Sequence, residues 1–375
     1  MPNYKHNSLN EFYKKDKIMP LYMDIHKVDS DDFTVEDVIK AHMEDMAVQE
    51  KFGVIQRKYW VNEPDKMVFC LMEGPNKEAC HKTHEESHGM TACNIIEVSD
   101  DEYNLFMARG STEENDLAYK LDGELDSGFR TIMLVSTSDL CGKYGHYIKE
   151  IHRLLKQYNG VIVLQPNDEI MASFLLASDA ILCALAIAKL LKSIPDNFEY
   201  RLALVSGNPV DQNGTDLFED TKQKVKILCQ IGLSKVIYLD ATTKALSSKE
   251  SNTPKVNHSD LKIVGNHDFS FCEKLSDILN GGLSDPNFKS EDLGRQLGLS
   301  KAQTYRKITA LTGMSPNTLI RELRLRKSLK ALKTNHKTVA EIAYDLGFNS
   351  PTYFTRVFRN RYEVLPTSFA KLNAS

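Results

Sequence analysis

The spacing of apolar residues changes character along the chain, and each regime predicts its own elements. From residue 20 the run LYMDIHKV reads as a strand, and Thr34 caps a helical pattern that continues to Phe52 and stops at Gly53. VIQRKYWV and KMVFCLME then alternate around the turn NEPD, NKEACHKTHEESHG reads as a helix, and ACNIIEV closes the unit as a strand. Farther on, TIMLVST is a strand, YGHYIKEIHRLLKQYN a helix, VIVLQP and EIMASFL a hairpin, SDAILCALAIAKLLKSI a helix and YRLALVSG a strand. LFEDTKQKVKILCQIG and SKVIYLD add a helix and a strand. Beyond about residue 268 no stretch reads convincingly as a strand, and the helical pattern is broken at Gly281, Gly298, Gly313, Gly347 and near Pro366.

Two polar stretches without apolar periodicity, Ala108 to Gly128 and Ser247 to Asp260, read as linkers. They set expected domains at 19–107, 128–246 and 268–372, a number that suits 375 residues. The strand-helix-strand-strand-helix-strand order of the first two is a ferredoxin-like arrangement. The expected fold is therefore multidomain, with two α+β ferredoxin-like domains followed by an all-α domain.

Composition narrows the class. A hydrophobic fraction of 42% and a charged fraction of 26% are those of a globular protein and exclude a disordered or fibrous chain. The most apolar run, Ile181 to Leu191, is too short to span a bilayer, so no membrane partner is expected. The polar start MPNYKHNSLNEFYKK is unlike a secretory leader, and the seven scattered cysteines form no CxxC pair; a cytoplasmic location with reduced thiols follows as the expectation. The net charge of -4 hides a division: from Ser270 onward 17 Lys and Arg face 9 Asp and Glu, whereas the preceding residues carry 30 against 42. A basic tail on an acidic body points to an anionic partner for the tail, nucleic acid first among the candidates.

The tail also contains an internal repeat. SKAQTYRKITALTG from Ser300 aligns, fifty residues on, with SPTYFTRVFRNRYE from Ser350, and each copy follows a short amphipathic helix ending in Leu-Gly. Helix, glycine turn and Ser-capped helix make a helix-turn-helix, here twice. The positions expected to face double-stranded DNA are Ser300, Lys301, Gln303, Tyr305 and Arg306 in the first unit, and Ser350, Thr352, Tyr353, Thr355, Arg356 and Arg359 in the second. Arg and Gln read base edges in the major groove, while Lys, Ser and Thr more often hold phosphate. Between the units, PNTLIRELRLRKSLKALKT predicts a basic helix of roughly 30 Å at about 1.5 Å per residue, close to one turn of DNA. The segment resembles the DNA-binding domain of the AraC/XylS family in its RLRKSL run at Arg324 to Leu329, its VAEIAYDLGF run at Val339 to Phe348 and its SPTYFTRVFR run from Ser350. The resemblance implies a transcription regulator. Thr304, where a large aliphatic is usual, and Glu363, where Gly often stands, depart from the pattern.

In the first segment CHKTHEESHG places His81, His84 and His88 on one helix face, and His42 and Asp45 lie one turn apart on the preceding helix. His42, Asp45, His84 and His88 form the candidate metal set, with Ni, Cu or Zn as the divalent transition metals that suit imidazole and carboxylate. The alternative is that these are exposed polar residues of an amphipathic helix. Residues 19 to 98 resemble a small ferredoxin-like family described as nickel-binding, through the runs AHMED at Ala41, RKYWV at Arg57, FCL at Phe69 and HEESHG at His84.

The middle segment resembles the class III nucleotidyl cyclase domain through TIMLVST, NDEIMASF, RLALVSGNPV and DLFEDTKQKVKIL. That family needs two carboxylates for two metal ions. Asp168 stands at the hairpin position, but Val135 and Ser136 occupy the first strand, and Gln223 and Ile227 stand where the family has Asn and Arg; Asp139 is a substitute only in another alignment. The expectation is a domain without turnover that senses a small-molecule, nucleotide or metal effector or makes a homodimer, as the first domain also could. Two rival readings remain at this point: a nucleotidyl cyclase with a DNA-binding tail, and a metal-buffering protein.

Overall fold

The computed structural model describes residues 19–112, 115–166, 168–194, 198–250, 261–334 and 336–372. The polar N-terminal stretch, Asn167 and residues 251–260 of the second expected linker lie outside the described residues.

The first unit runs β1 (Leu21–Lys27), α1 (Val35–Phe52), β2 (Ile55–Asn62), β3 (Met67–Glu73), α2 (Lys77–Ser87) and β4 (Asn94–Val98). Its sheet has the order β2-β3-β1-β4 with every pair antiparallel. Thr34 starts α1 through a reciprocal capping box with Asp37, and Gly53 ends it at a φ of 66°. Strand alternation then decides the chemistry of the two faces. Met23, Ile25, Trp60, Phe69 and Leu71 point to one side and join a core shared with the next unit, whereas Tyr22, Tyr59, Val61, Val68 and Cys70 lie in a separate core with α1.

The stretch read as a linker after residue 107 is packed against this unit. A short helix α3 (Asp100–Phe106) leads to the small hairpin of β5 (Ser111–Thr112) and β6 (Ala118–Tyr119). Leu117 and Ala118 are buried, and the Tyr59 amide donates to the Asp116 carbonyl at 3.1 Å. Asp126 is 1% exposed and accepts from Trp60 Nε1 at 3.1 Å and from both terminal nitrogens of Arg130 at 2.9 Å. Its few apolar residues show no helical or strand period, and the partners that bury Asp116 and Asp126 include Tyr59 and Trp60, far off in sequence.

The second unit is β7 (Arg130–Asp139), α4 (His146–Gln157), β8 (Val161–Leu164), β9 (Glu169–Phe174), α5 (Ala177–Lys192), β10 (Phe198–Gly207), α6 (Glu219–Ile231), β11 (Ile237–Asp240), α7 (Ala241–Lys249) and β12 (Leu261–Val264). In the sheet order β12-β11-β10-β7-β9-β8, the last four strands repeat the order of the first unit, and β11 and β12 extend that sheet in parallel. The apolar run of α5 is buried against this sheet, and among the described residues no helix is long and apolar enough to cross a membrane.

The third unit is helical: α8 (Asn266–Gly282), α9 (Ser290–Leu297), α10 (Lys301–Thr312), α11 (Pro316–Thr334), α12 (Val339–Asp345), α13 (Pro351–Tyr362) and α14 (Pro366–Leu372). It has two small cores bridged by α11. Leu319 and Leu323 pack with Leu293, Leu297 and Ile308, while Leu325, Leu329 and Leu332 pack with Ile342, Phe354, Phe358 and Phe369. Burying each of those phenylalanines stabilises the second core by about 1.5–3 kcal/mol.

The helical unit is docked on the second unit. Arg361 of α13 makes paired hydrogen bonds to Glu199 of β10 at 2.7 and 2.8 Å, and bonds Glu322 of α11 as well. Arg326 donates to the Gln230 carbonyl at 2.8 Å, Tyr238 donates to the Leu311 carbonyl at 3.3 Å, and Lys333 pairs with Asp168.

Candidate functional site

Both repeat units have the helix-turn-helix geometry that their sequences predict. Gly298, at φ 68°, ends α9, and Gly347, at φ 76°, follows α12; a side chain would be strained at either position. Ser300 caps α10, its hydroxyl accepting the Gln303 amide at 3.3 Å while the Gln303 side-chain oxygen accepts the Ser300 amide at 3.0 Å. Gln303 is therefore partly committed to the cap, which leaves its amide nitrogen for an outside acceptor. Ser350 caps α13 by accepting the Tyr353 amide, with Pro351 in the first turn.

Lys301, Gln303, Tyr305 and Arg306 are exposed on α10, as are Thr352, Tyr353, Arg356 and Arg359 on α13, with Thr355 half-buried. The Arg356 guanidinium lies over the Tyr353 ring, 5.3 Å from its centroid. Both helices are rooted by their C-terminal ends, through Leu311 and Arg361, and present their N-terminal turns outward. Positive dipole ends and cationic side chains thus share the open face. The two departures from the family pattern are accommodated differently. Thr304 is buried and bonds the Ser300 carbonyl at 2.9 Å, close against Gly294; Glu363 takes the left-handed turn at φ 59° that Gly313 makes in the first unit.

In the first unit, Asp24 and His26 of β1, Cys70 of β3 and His84 of α2 bring donor atoms within 4.8 Å of one another, all buried. Asp45, His84 and His88 make an overlapping group. Asp24 Oδ2 is 2.9 Å from His84 Nε2 and 3.2 Å from His26 Nε2, and Oδ1 accepts the Cys70 amide at 2.9 Å. On the far side of the His84 ring, Nδ1 is 2.9 Å from Asp45 Oδ2, and His88 Nε2 is 3.4 Å from Asp45 Oδ1. Burial alone would disfavour the charged ring, but hydrogen bonds to Asp24 and Asp45 and their charges outweigh it, raising the His84 pKa to about 10. Burial opposes ionisation of both carboxyls, yet His26 first and then His84 hold Asp24 below the usual carboxylate range, and hydrogen bonds to His84 and His88 do the same for Asp45. Burial, reinforced by the Asp24 and Asp45 charges, pushes the Cys70 thiol well up.

Of the predicted metal residues, Asp45, His84 and His88 meet, and His42 lies outside both groups, as does His81, which shares their helix face. His42 Nε2 is turned instead to Asp116, 3.2 Å away, in the stretch read as a linker. Asp24, His26 and Cys70 went unnoticed because they sit singly on strands. The signal that could have found them is the two-residue period placing Asp24 and His26 on one sheet face.

At the cyclase-like positions Asp168 faces Lys333, while the Asp139 carboxylate accepts the amides of Cys141, Gly142 and Tyr144 at 3.0, 2.8 and 2.6 Å. Ser136 accepts from Arg201 at 3.0 Å.

Residues 293–372 match the family described as helix-turn-helix domain, and residues 22–98 the family described as nickel responsive protein SCO4226-like. A histidine kinase P4 from Formosa agariphila is 29% identical over 124 residues, which are 33% of this chain and 9% of that protein. The HTH-type transcriptional activator RhaS of Mannheimia succiniciproducens is 36% identical over 76 residues, 20% of this chain and 28% of its own. The chain thus spans less than a third of the length of either curated relative. Among solved structures, SCO4226 from Streptomyces coelicolor is similar at 32% identity, with 21% of this chain and 94% of that one covered and a TM-score of 0.20. The guanylyl cyclase domain of the RhoGC fusion protein from the aquatic fungus Blastocladiella emersonii is a neighbour at 16% identity, with 33% of this chain and 85% of that one covered and a TM-score of 0.28. The chain therefore carries an AraC-type helix-turn-helix domain toward its C-terminal end and, toward its N-terminal end, a domain similar to the family described as nickel responsive protein SCO4226-like.

Proposed function

We propose that this protein is a sequence-specific regulator of transcription that binds double-stranded DNA through α10 and α13 and responds to a divalent transition metal through its first domain. The observation that carries this reading is the pair of Ser-capped helices, joined by α11, that hold Lys301, Arg306, Arg356 and Arg359 at exposed positions. α11 has 19 residues, about 28 Å at 1.5 Å per residue, which suits successive major grooves on one face of a duplex. RhaS, named as a transcriptional activator, supports the same role.

Both α+β units are proposed to be ferredoxin-like, on the strand order they share. The sensing domain is taken to extend through Asp126, because Asp116 and Asp126 contact its interior. Asp24, His26, Cys70 and His84 would hold the ion, with Asp45 and His88 orienting His84 from behind. Two imidazoles, a carboxylate and a thiol would suit Ni, Cu or Zn. A bound ion would supply a cross-link in place of the shared His84 proton, tying β1, β3 and α2 together. The middle domain acts in this reading as a frame and a dimer surface without nucleotide turnover, since Asp168 and Asp139 are already committed to Lys333 and to backbone amides. A cytoplasmic location goes with the role.

Selection of bound sequences from a random DNA pool, followed by affinity measurements on the full chain, tests the reading. Arg306→Ala and Arg356→Ala are each expected to weaken the selected site by about 1–3 kcal/mol. Failure to enrich any sequence, or unchanged affinity in both variants, overturns it.

A further inference from the structure

Beside the imidazole–carboxylate group, between α1 and the sheet, lies a cavity of about 390 Å³. A metal ion and its donors occupy one wall of such a space, since a water molecule's share of liquid is only about 30 Å³. The opposite wall is apolar, made by Val28, Phe33, Val38 and Met90. Two polar groups of this cavity's lining residues are buried and have no partner among the described residues: His42 Nδ1, on a residue 4% exposed, and the Tyr59 hydroxyl, on a residue 0% exposed. Their ring centroids are 4.4 Å apart, so the two residues are neighbours in the lining. Buried polar atoms without partners are uncommon and costly, and a small apolar site with a few convergent polar groups is the usual form of an organic ligand pocket.

The ligand's character follows from the lining. Asp116 only accepts hydrogen bonds, so its contact with His42 Nε2 puts the proton of the neutral imidazole there and leaves Nδ1 as an acceptor. Asp32, Asp37 and Asp45 line the cavity, and no Lys or Arg among the described residues does, which disfavours carboxylates, phosphates and nucleotides. We infer that the cavity binds a neutral, mainly apolar organic molecule through one hydroxyl group, which donates to His42 Nδ1 and accepts from the Tyr59 hydroxyl. The site is next to the proposed metal donors, and the inference deepens the reading of the first domain as the sensing domain.

Calorimetric titration of the full chain with 1-naphthol, 1-methoxynaphthalene and 1-naphthoate tests it, with nickel titrated into the same preparation. One 1-naphthol per chain is expected, with the methyl ether, which cannot donate, and the anion each at least about five-fold weaker, the worth of one net hydrogen bond. Tyr59→Phe keeps the ring and should weaken 1-naphthol about five-fold while leaving nickel unchanged. The inference is overturned if 1-naphthol does not bind, if 1-naphthoate binds as well, or if Tyr59→Phe, with an unchanged melting temperature, leaves 1-naphthol affinity intact. Because nickel is read separately, loss of nickel binding in His84→Ala tests the metal reading alone, and failure of 1-naphthol in a nickel-binding preparation sinks only this one.

Discussion

Replacing Arg130 by Met should loosen the joint between the first two units, and the only tryptophan in the chain reports it. The guanidinium is 1% exposed and donates to the carbonyls of Phe106 at 2.9 Å and Phe129 at 2.8 Å, besides its paired bonds to Asp126. Methionine fills much of the same volume, so the cavity cost is small and the electrostatic cost dominates. Among the described residues, Asp126 would remain buried with the Trp60 ring nitrogen and the Gly128 amide as its hydrogen-bond partners and the Lys58 charge nearby. Removing one member of a buried pair in this way costs about 3–5 kcal/mol. With a guanidinium chloride slope of about 4 kcal/mol per molar, the first transition should move down by about 1 M. Trp60 emission, excited selectively, should shift toward the red as water reaches the indole. Adding Asp126→Leu to Arg130→Met removes the stranded charge and should recover much of the loss. A loss below about 1 kcal/mol, or a Trp60 spectrum that does not move, would refute the view that this contact clamps the two units.

Two further outcomes follow from the helical unit. Glu363→Gly relieves a left-handed turn at φ 59° on an exposed residue and should raise stability by about 0.5–1 kcal/mol, read as a higher melting temperature; a lower one would contradict it. Glu199→Gln removes the charge that Arg361 grips in a partly exposed pair, and should increase amide exchange across 351–372 by a factor corresponding to about 1–2 kcal/mol. Unchanged protection there would show that the docking does not depend on this pair.

The helical domain was legible almost whole, because its signals are local: a glycine, a serine cap three residues before its partner amide, and apolar residues at helical spacing. The strand and helix order of the first α+β unit, and of the second as far as β11, was legible for the same reason, through alternation and the Thr34 cap; α7, which runs to Lys249 past the expected domain end at 246, and β12, which joins the sheet from beyond the expected linker, were not. Contacts between distant residues were not. Polar Asp116 and Asp126 read as linker because nothing near them in sequence reveals that His42, Trp60 and Arg130 await them in the fold. His42 was drawn into the metal set by its one-turn spacing from Asp45, whereas Asp116 claims its outer nitrogen. Asp24, His26 and Cys70 join His84 only after β1 and β3 pair and α2 lies across them. Arg324 and Arg326 illustrate the same limit within the basic helix. They look like DNA contacts, yet Arg324 donates to the Leu283 and Asp285 carbonyls at 2.8 and 2.6 Å and Arg326 to Gln230.

A metal bound in the first domain is proposed to alter DNA binding by the third. Titrating the full chain against its selected DNA site, with and without nickel, measures that coupling directly. The account predicts a change in Kd of at least about five-fold, the lower end of ordinary allosteric coupling, and its loss in His84→Ala at unchanged metal-free affinity. A Kd that nickel leaves unaltered in the native protein, or that nickel alters equally in His84→Ala, would contradict it.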